Sequence, residues 1–501
     1  RSRPACDHVV PQLPGGNVSQ LIADYYWVGV VLLVLYWIAV VVTVVGMDRD
    51  PTVTLLWLII LVGLPGIGLL IYFFAGRDWK RIHPKQLWVA DLRAIREPFM
   101  EHVYARYAAH SQAIVAKYRG TPAARLIRAV SRERGNQPLP ANDLEIWPSG
   151  AEYFPHLIED ISKAQHSIHM QYYAWERDKL TTRVCNALME RVGAGVEVRI
   201  LNDFLGSARY RKDQLDELQL AGAHVGSDVA QIRKLNYRDH RKITVIDGVI
   251  GHTGGVNIGQ EYIDGGARFE SWRDTGVRFT GPAVAELQKL FAERWYEVFR
   301  ESLFDEKYFP PADARVVAEP VMTQVVAQGV EEYWSSSTRA HEIAITGAQK
   351  RVSIQSPYWV PDPTMLDAFI NSALSGVEVR FMMTGVPDKK LAFHAAQSYW
   401  EPVLKAGGHV YLYMAGFLHA KSIAIDGQVS AVGTMNLDIR SLRLNQELMV
   451  WIYDDRLARV QEDIFEADLA DCVEVTLADI ASWSRFKRLR NSASRLASNL
   501  L

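Results

Sequence analysis

One short pattern occurs twice, and it constrains the fold more than any other feature of the chain. His240 to Asp247 reads HRKITVID, and His419 to Asp426 reads HAKSIAID, both His-x-Lys-x4-Asp. The flanking segments repeat in the same order. HSIHMQYYAW (166–175) and AGVEVRIL (194–201) match KRVSIQSPYW (350–359) and SGVEVRFM (375–382). AGAHVGSD (221–228) is echoed by AGGHVYLY (406–413), and TGGVNI (253–258) by VGTMNL (432–437). Matched segments in a matched order mean two copies of one structural unit.

The short β-branched and aromatic runs read as strands. The stretches between them, KLTTRVCNALMERVGA and TMLDAFINSALSG, read as helices ended by glycine. Alternating strands and helices imply an α/β sheet with helices on both faces. Each His-x-Lys motif lies on a strand running into a turn. Residues two apart on a strand share a face, so His240 projects with Lys242 and His419 with Lys421. A single copy of the motif is compatible with a half-exposed strand end and nothing more. Two equivalent copies, packed about a pseudo-twofold axis, bring two histidines and two lysines to one cleft.

The chain has 501 residues, 49% hydrophobic and 22% charged, enough for two or three domains with their own cores. A net charge of −2 does not suggest a wholesale nucleic-acid binder. Cys6, Cys185 and Cys472 are far apart and odd in number, which suggests neither a disulfide framework nor a zinc site.

Two apolar stretches precede the repeats. Trp27 to Gly46 holds twenty residues and Thr52 to Gly76 twenty-five, all uncharged. About 20 helical residues cross a bilayer core, so these predict a transmembrane hairpin. Asp50 and Pro51 suit the N-cap and first turn of the second helix. Pro65, among Gly63, Gly66 and Gly68, predicts a kink whose freed carbonyl a neighbour can cover. Tyr25, Tyr26, Trp27, Tyr72, Phe73 and Phe74 lie near the span ends, where aromatic belts sit. Arg77, Lys80, Arg81 and Lys85 follow the second span, which places the body in the cytoplasm by the positive-inside rule.

Residues 77–145 carry 13 Lys/Arg against 7 Asp/Glu and read as a basic helical linker, suited to anionic headgroups or to solvent. In 483–501, Trp483, Phe486, Leu489, Leu496 and Leu500 recur at helical spacing among Arg485, Lys487, Arg488, Arg490 and Arg495. That predicts a basic amphipathic helix, lying on a membrane or docked on the core. The expected organisation is an N-terminal tail (1–23), a transmembrane hairpin (24–76), the linker (77–145), two repeats (146–315 and 316–480) and a C-terminal tail (481–501).

HRKITVIDGVIGHTGGVN and HAKSIAIDGQVSAVGTMN resemble the doubled signature of the phospholipase D superfamily. With the N-terminal hairpin, SWRDTGVRFTGP (271–282) and NLDIRSLRLNQE (436–447), the chain from about Trp27 to Leu501 resembles bacterial cardiolipin synthases. Gln446 departs from the phenylalanine usual at its place, and should affect packing more than chemistry. The resemblance implies two tandem phospholipase D-like domains of α/β fold in a bacterial plasma membrane. It also implies transfer of a phosphatidyl group between two phosphatidylglycerol molecules, with no metal and no cofactor.

Such chemistry needs a covalent intermediate and positive charge around the phosphoryl oxygens. Two histidines supply nucleophile and acid; the resemblance favours His240 as nucleophile. Lys242 and Lys421 supply fixed charge. Asn257, Asn436, Thr434 and Gly255 are expected at the phosphate. Each histidine wants a carboxylate to hold its tautomer. We assign Asp274 to His240 and Glu447 to His419. Asp247 and Asp426 are expected to support the strand end. His252 is not expected in the chemistry. His394 could line the acceptor entrance, and Trp175, Tyr358 and Trp359 either the lipid site or the core. The same residues would serve a hydrolytic phospholipase D, or a synthase with a phosphatidylethanolamine donor. An anchored nuclease fits poorly with two spans. A non-catalytic scaffold would have lost a motif residue, and none is lost. A homodimer through the hairpin is compatible with the sequence.

Overall fold

The computed structural model describes residues 18–47, 51–76, 87–132, 137–204, 206–207, 214–228, 238–311, 320–329 and 335–496. The chain divides into two compact units, 1–78 and 79–501.

In the first unit, one helix runs Val18–Val45, about 42 Å at 1.5 Å per residue. Among the described residues it is the helix long and apolar enough to cross a membrane. The second apolar stretch is not one helix. It forms Pro51–Gly63, breaks at Leu64–Gly66, resumes at Ile67–Ile71 and ends in a π turn, Tyr72–Gly76. Pro65 causes the break, because its ring removes an N–H and clashes with the carbonyl four residues back. That carbonyl belongs to Leu61, and the Tyr36 hydroxyl donates to it at 2.9 Å. Val40, Val44, Trp57 and Leu61 close the contact between the two apolar segments. Asp50 and the basic cluster 77–85 lie outside the described residues.

The second unit holds two mixed sheets. The first-repeat sheet pairs seven strands, in the spatial order Leu144–Trp147, Gly276–Thr280, Ile250–Gly254, Ile243–Ile246, Ser167–Tyr172, Glu197–Asp203 and His224–Asp228. The second-repeat sheet pairs nine. Its inner strands follow the same plan: Glu447–Tyr453, Val429–Gly433, Ser422–Ile425, Arg351–Gln355, Glu378–Thr384 and His409–Tyr413. The expected helices form at Lys179–Gly193 and Pro363–Leu374. Asp178 and Asp362 cap their N-termini by accepting from the N–H of Thr181 and Met365.

The repeats meet through sheet faces. One apolar core joins Ile243, Val245, Val277 and Phe279 of the first sheet to Val432, Leu448, Val450 and Ile452 of the second. Helix Leu87–Lys117 covers part of it, with Arg96 paired to Glu293 at 2.7 Å. Strand Leu139–Ala141 joins the nine-stranded sheet through Val321–Gln328. A further helix, Arg485–Leu496, ends the described chain.

Candidate active site

His240 and His419 do not lie on regular strand. Each sits in an extended segment leading into one, Ile243–Ile246 or Ser422–Ile425. Those segments are held by the opposite repeat. The His240 N–H donates to Gln446 O at 2.9 Å, and the Gln446 N–H to Arg238 O at 2.8 Å. The His419 N–H donates to Arg273 O at 2.7 Å, continuing the parallel pairing of Phe417–Leu418 with Trp272–Arg273. Each motif histidine is therefore strapped to the backbone just ahead of a carboxylate in the other copy.

This arrangement corrects the expected pairing. His240 Nδ1 lies 3.0 Å from Glu447 Oε2, and His419 Nδ1 lies 2.7 Å from Asp274 Oδ2. The carboxylates are exchanged between repeats. Register shows why. Gly276 pairs with Gly254, and Met449 with Gly433, so Asp274 and Glu447 occupy equivalent places. The pseudo-twofold relation turns each carboxylate towards the far histidine.

The nearby residues do other work than expected. Gly255 gives its N–H to Thr275 O at 3.0 Å, so it does not present that donor to a substrate. A Cβ there would fall 2.0 Å from Asp274 Oδ1, so only glycine leaves room for the carboxylate. At the equivalent place Thr434 donates its hydroxyl to Glu447 Oε2 at 2.6 Å, and its carbonyl lies 3.2 Å from His240 Nδ1. Two acceptors at Nδ1 place the proton there and leave Nε2 of a neutral ring with its lone pair. Asn257 accepts from the Ala174 N–H at 3.3 Å and donates to the Tyr262 hydroxyl at 2.8 Å. Asn436 Oδ1 is buried, with no hydrogen-bond partner among the described residues.

Lys242 and Lys421 are buried, and each Nζ donates to the carbonyl of the histidine two residues before it. Burial lowers Lys242 to about 7 against the pull of Glu447, and Lys421 to about 8 against Asp274 and Glu447. Burial thus works against the charge expected of both lysines, and the neighbouring carboxylates work for it. Burial raises Asp274 to about 6, opposed first by Lys421. Burial would raise Glu447 too, but the charge and hydrogen bond of His240 hold it below the ordinary range. Burial lowers both histidines. Glu447 opposes this at His240, whereas Lys421, Lys242 and His240 push His419 further down.

Asp247 and Asp426 stand apart from the chemistry. Asp247 accepts from the N–H groups of Gln165, His166 and Ser167 at 2.7–2.9 Å. Asp426 does the same for Gln349, Lys350 and Arg351 at 2.7–2.8 Å. Both sit at positive φ, 53° and 55°, and turn the chain at the strand end. Gln446 accepts from the Arg241 guanidinium, and Arg241 also pairs with Asp239, which bolsters the strap behind His240. Trp175 and Trp359 are core residues. The Tyr358 hydroxyl donates to Asp388 at 2.7 Å. His252 pairs in register with Thr244, and its ring is bound to Asp160 at 2.8 Å.

Sequence reasoning missed the aromatic lining. The Tyr173 ring stands 5.0 Å from the His240 ring and 5.5 Å from Lys242 Nζ. Trp272, Phe417 and Tyr262 surround His419 at 5.6, 5.7 and 6.0 Å. Trp272 and Phe417 each stand two residues before a site residue, Asp274 and His419, and that spacing was the signal the sequence offered.

The chain is similar to known proteins along most of its length. A family model described as "Cardiolipin synthase, PLD-like domain" matches residues 157–295 and 342–469. A second, "Phospholipase_D-nuclease N-terminal", matches 32–77. The major cardiolipin synthase ClsA of Bacillus subtilis is 32% identical over 493 residues, covering 97% of this chain and 100% of that protein. The cardiolipin synthase of Clostridium perfringens is 33% identical, covering 90% and 95%. Among solved structures, phosphatidylserine synthase of Haemophilus influenzae matches with a TM-score of 0.57 at 15% identity, covering 75% of this chain and 99% of that one.

Proposed function

Since this chain belongs to the cardiolipin synthase family of phospholipase D-like phosphatidyltransferases, we propose that it joins two phosphatidylglycerol molecules through a phosphatidyl-histidine intermediate. The observation that carries this reading is the pair of cross-repeat histidine–carboxylate contacts, with both lysines buried beside them.

His240 Nε2 attacks phosphorus of the first phosphatidylglycerol. The N–P bond forms, the bond from phosphorus to the glycerol oxygen breaks, and that oxygen takes a proton from His419. The phosphatidylated ring is cationic, and Glu447, held ionised, balances that charge. This supports His240 as nucleophile. His419, pushed to low proton affinity, takes a proton from solvent when the negative charge of the bound phosphodiester raises that affinity, and is then a willing donor. A headgroup hydroxyl of the second phosphatidylglycerol then gives its proton to His419 and attacks phosphorus, breaking N–P. Cardiolipin and glycerol leave, and both rings return to their starting state. Lys242 and Lys421 gain their full charge as the phosphodiester enters and stabilise its oxygens.

The two apolar segments and the basic residues after them support a two-span anchor with the body in the cytoplasm. A dimer through the hairpin is compatible with this anchor. The test uses purified protein in liposomes with labelled phosphatidylglycerol. Cardiolipin and free glycerol in equal amounts are expected. Phosphatidic acid as the main product would make the enzyme a hydrolase. Turnover only after phosphatidylethanolamine is added would change the donor.

A further inference from the structure

The last described helix is docked inside out. Arg485–Leu496 buries Asn491 and Ser494 against the body and turns large apolar side chains outward. Phe486 is 76% exposed, Leu489 68% and Leu496 87%. At 100° per residue, Phe486, Leu489, Ala493 and Leu496 form one stripe, opposite the buried polar pair. The docking is specific. Asn491 Nδ2 donates to Gln397 Oε1 at 2.8 Å, and Arg495 stacks over the Tyr399 ring at 4.6 Å. Arg488 donates to Ile480 O at 2.6 Å. A helix that only needed to cover the core would bury the opposite face.

The partner helix, Lys390–Gln397, adds to the same surface. Leu391 is half exposed there, and the charges of Arg490, Lys390 and Lys487 converge around His394. Lys389, just before it, lies 4.9 Å from the Tyr358 ring, and its charge is felt at His419. The surface thus adjoins the second-repeat side of the catalytic cleft. Its apolar stripe is flanked by Arg485 and Arg490, and the helix, with five Lys/Arg, holds no Asp or Glu.

We propose that the helix pair Lys390–Gln397 and Arg485–Leu496 is a docking surface for an anionic bilayer. The apolar stripe enters the acyl boundary, and the basic rim binds lipid phosphates, holding the cleft at the headgroup level. The proposal rests on the reading of the chain as an enzyme of bilayer lipids, but its first test needs no turnover.

The full chain, with Cys6, Cys185 and Cys472 replaced by serine and Leu489→Cys carrying a spin label, is reconstituted in vesicles. Vesicles rich in phosphatidylglycerol should make the label several-fold more accessible to oxygen than to an aqueous nickel complex. Purely zwitterionic vesicles should reverse the preference. A label open to nickel in both vesicles overturns the proposal. So does equal insertion in both, which removes the role of the basic rim. Protection from both reagents with dipolar broadening would instead mark a contact between two copies. A second readout uses Phe486→Glu with Leu489→Glu. Apparent KM for vesicle phosphatidylglycerol should rise about tenfold, with turnover of a monomeric short-chain substrate unchanged. Equal loss on both substrates would mean a structural role and sink the idea.

Discussion

Asp274 of the first repeat holds the histidine of the second, His419, at 2.7 Å, while its structural equivalent Glu447 holds His240. The active site is therefore reciprocal. Neither repeat contains a complete histidine–carboxylate pair.

Reciprocity assigns phenotypes. With the natural lipid, His240→Ala, His419→Ala, Glu447→Gln and Asp274→Asn should each lower kcat by about 10²–10⁴-fold. A substrate with an activated leaving group, such as a p-nitrophenyl ester, needs no acid. His419→Ala and Asp274→Asn should still release a burst of nitrophenol and accumulate phosphatidyl-enzyme. His240→Ala and Glu447→Gln should not. If Asp274→Asn grouped with His240→Ala, the crosswise assignment would be wrong.

Gly255→Ala should cost nearly as much as losing the carboxylate, although alanine is small and chemically inert. Its methyl would occupy the place of Asp274 Oδ1, so the carboxylate must leave His419. We expect kcat to fall at least about 100-fold, with less than about 2 kcal/mol lost in stability. The equivalent Thr434→Ser keeps the hydroxyl on Glu447 and should stay within about threefold of the parent. A fully active Gly255→Ala would show that Asp274 is dispensable.

The pH profile of kcat/KM should be a bell displaced from the ordinary values of its groups. Asp274 must be ionised to accept from His419, so activity rises as pH passes about 6. Lys242 and Lys421 must be charged, so activity falls as pH passes about 7 to 8. These values belong to the coupled site rather than to single groups. Lys242→Arg should move the alkaline limb upward, whatever its effect on the maximum. A plateau extending to pH 10 in the parent enzyme would contradict a buried, depressed lysine.

Lys242→Met should be inactive and more stable. The lysine is lowered from its unfolded value of 10.5 to about 7 in the fold, so its charge is disfavoured there. Below pH 7 it is charged in both states, and the cost of burial is complete. Between about 7 and 10.5 the folded form sheds its proton first, and the cost fades. The gain for methionine, about 1–3 kcal/mol, should therefore be largest below pH 7 and shrink as pH rises. Denaturant melts of the two proteins at pH 6 and pH 9 check both sign and trend.

Much of this was legible in the letters. The strands Ser167–Tyr172 and Arg351–Gln355, the helices after them and the two motif histidines follow from residue type, terminal glycines and repetition. The partner of each histidine did not. Asp274 and Glu447 are each near their own motif in sequence, and proximity favoured the wrong match. Only the docking of one sheet on the other decides it, and that depends on side-chain packing between distant segments. The roles of Gly255 and Thr434 were hidden for the same reason, since both serve a carboxylate rather than a phosphate. The break at Pro65 was legible, and so was the need for a donor at the carbonyl it frees; Tyr36 as that donor was not.

The strap between Gln446 O and the His240 N–H has a consequence during synthesis. A ribosome releases the first repeat long before residue 447 leaves the exit tunnel. Until then His240 has neither its backbone clamp nor its carboxylate, and Asp274 waits for His419. The nascent enzyme therefore sits among its own substrates without the means to attack them. Competence arrives only when the second sheet has closed on the first.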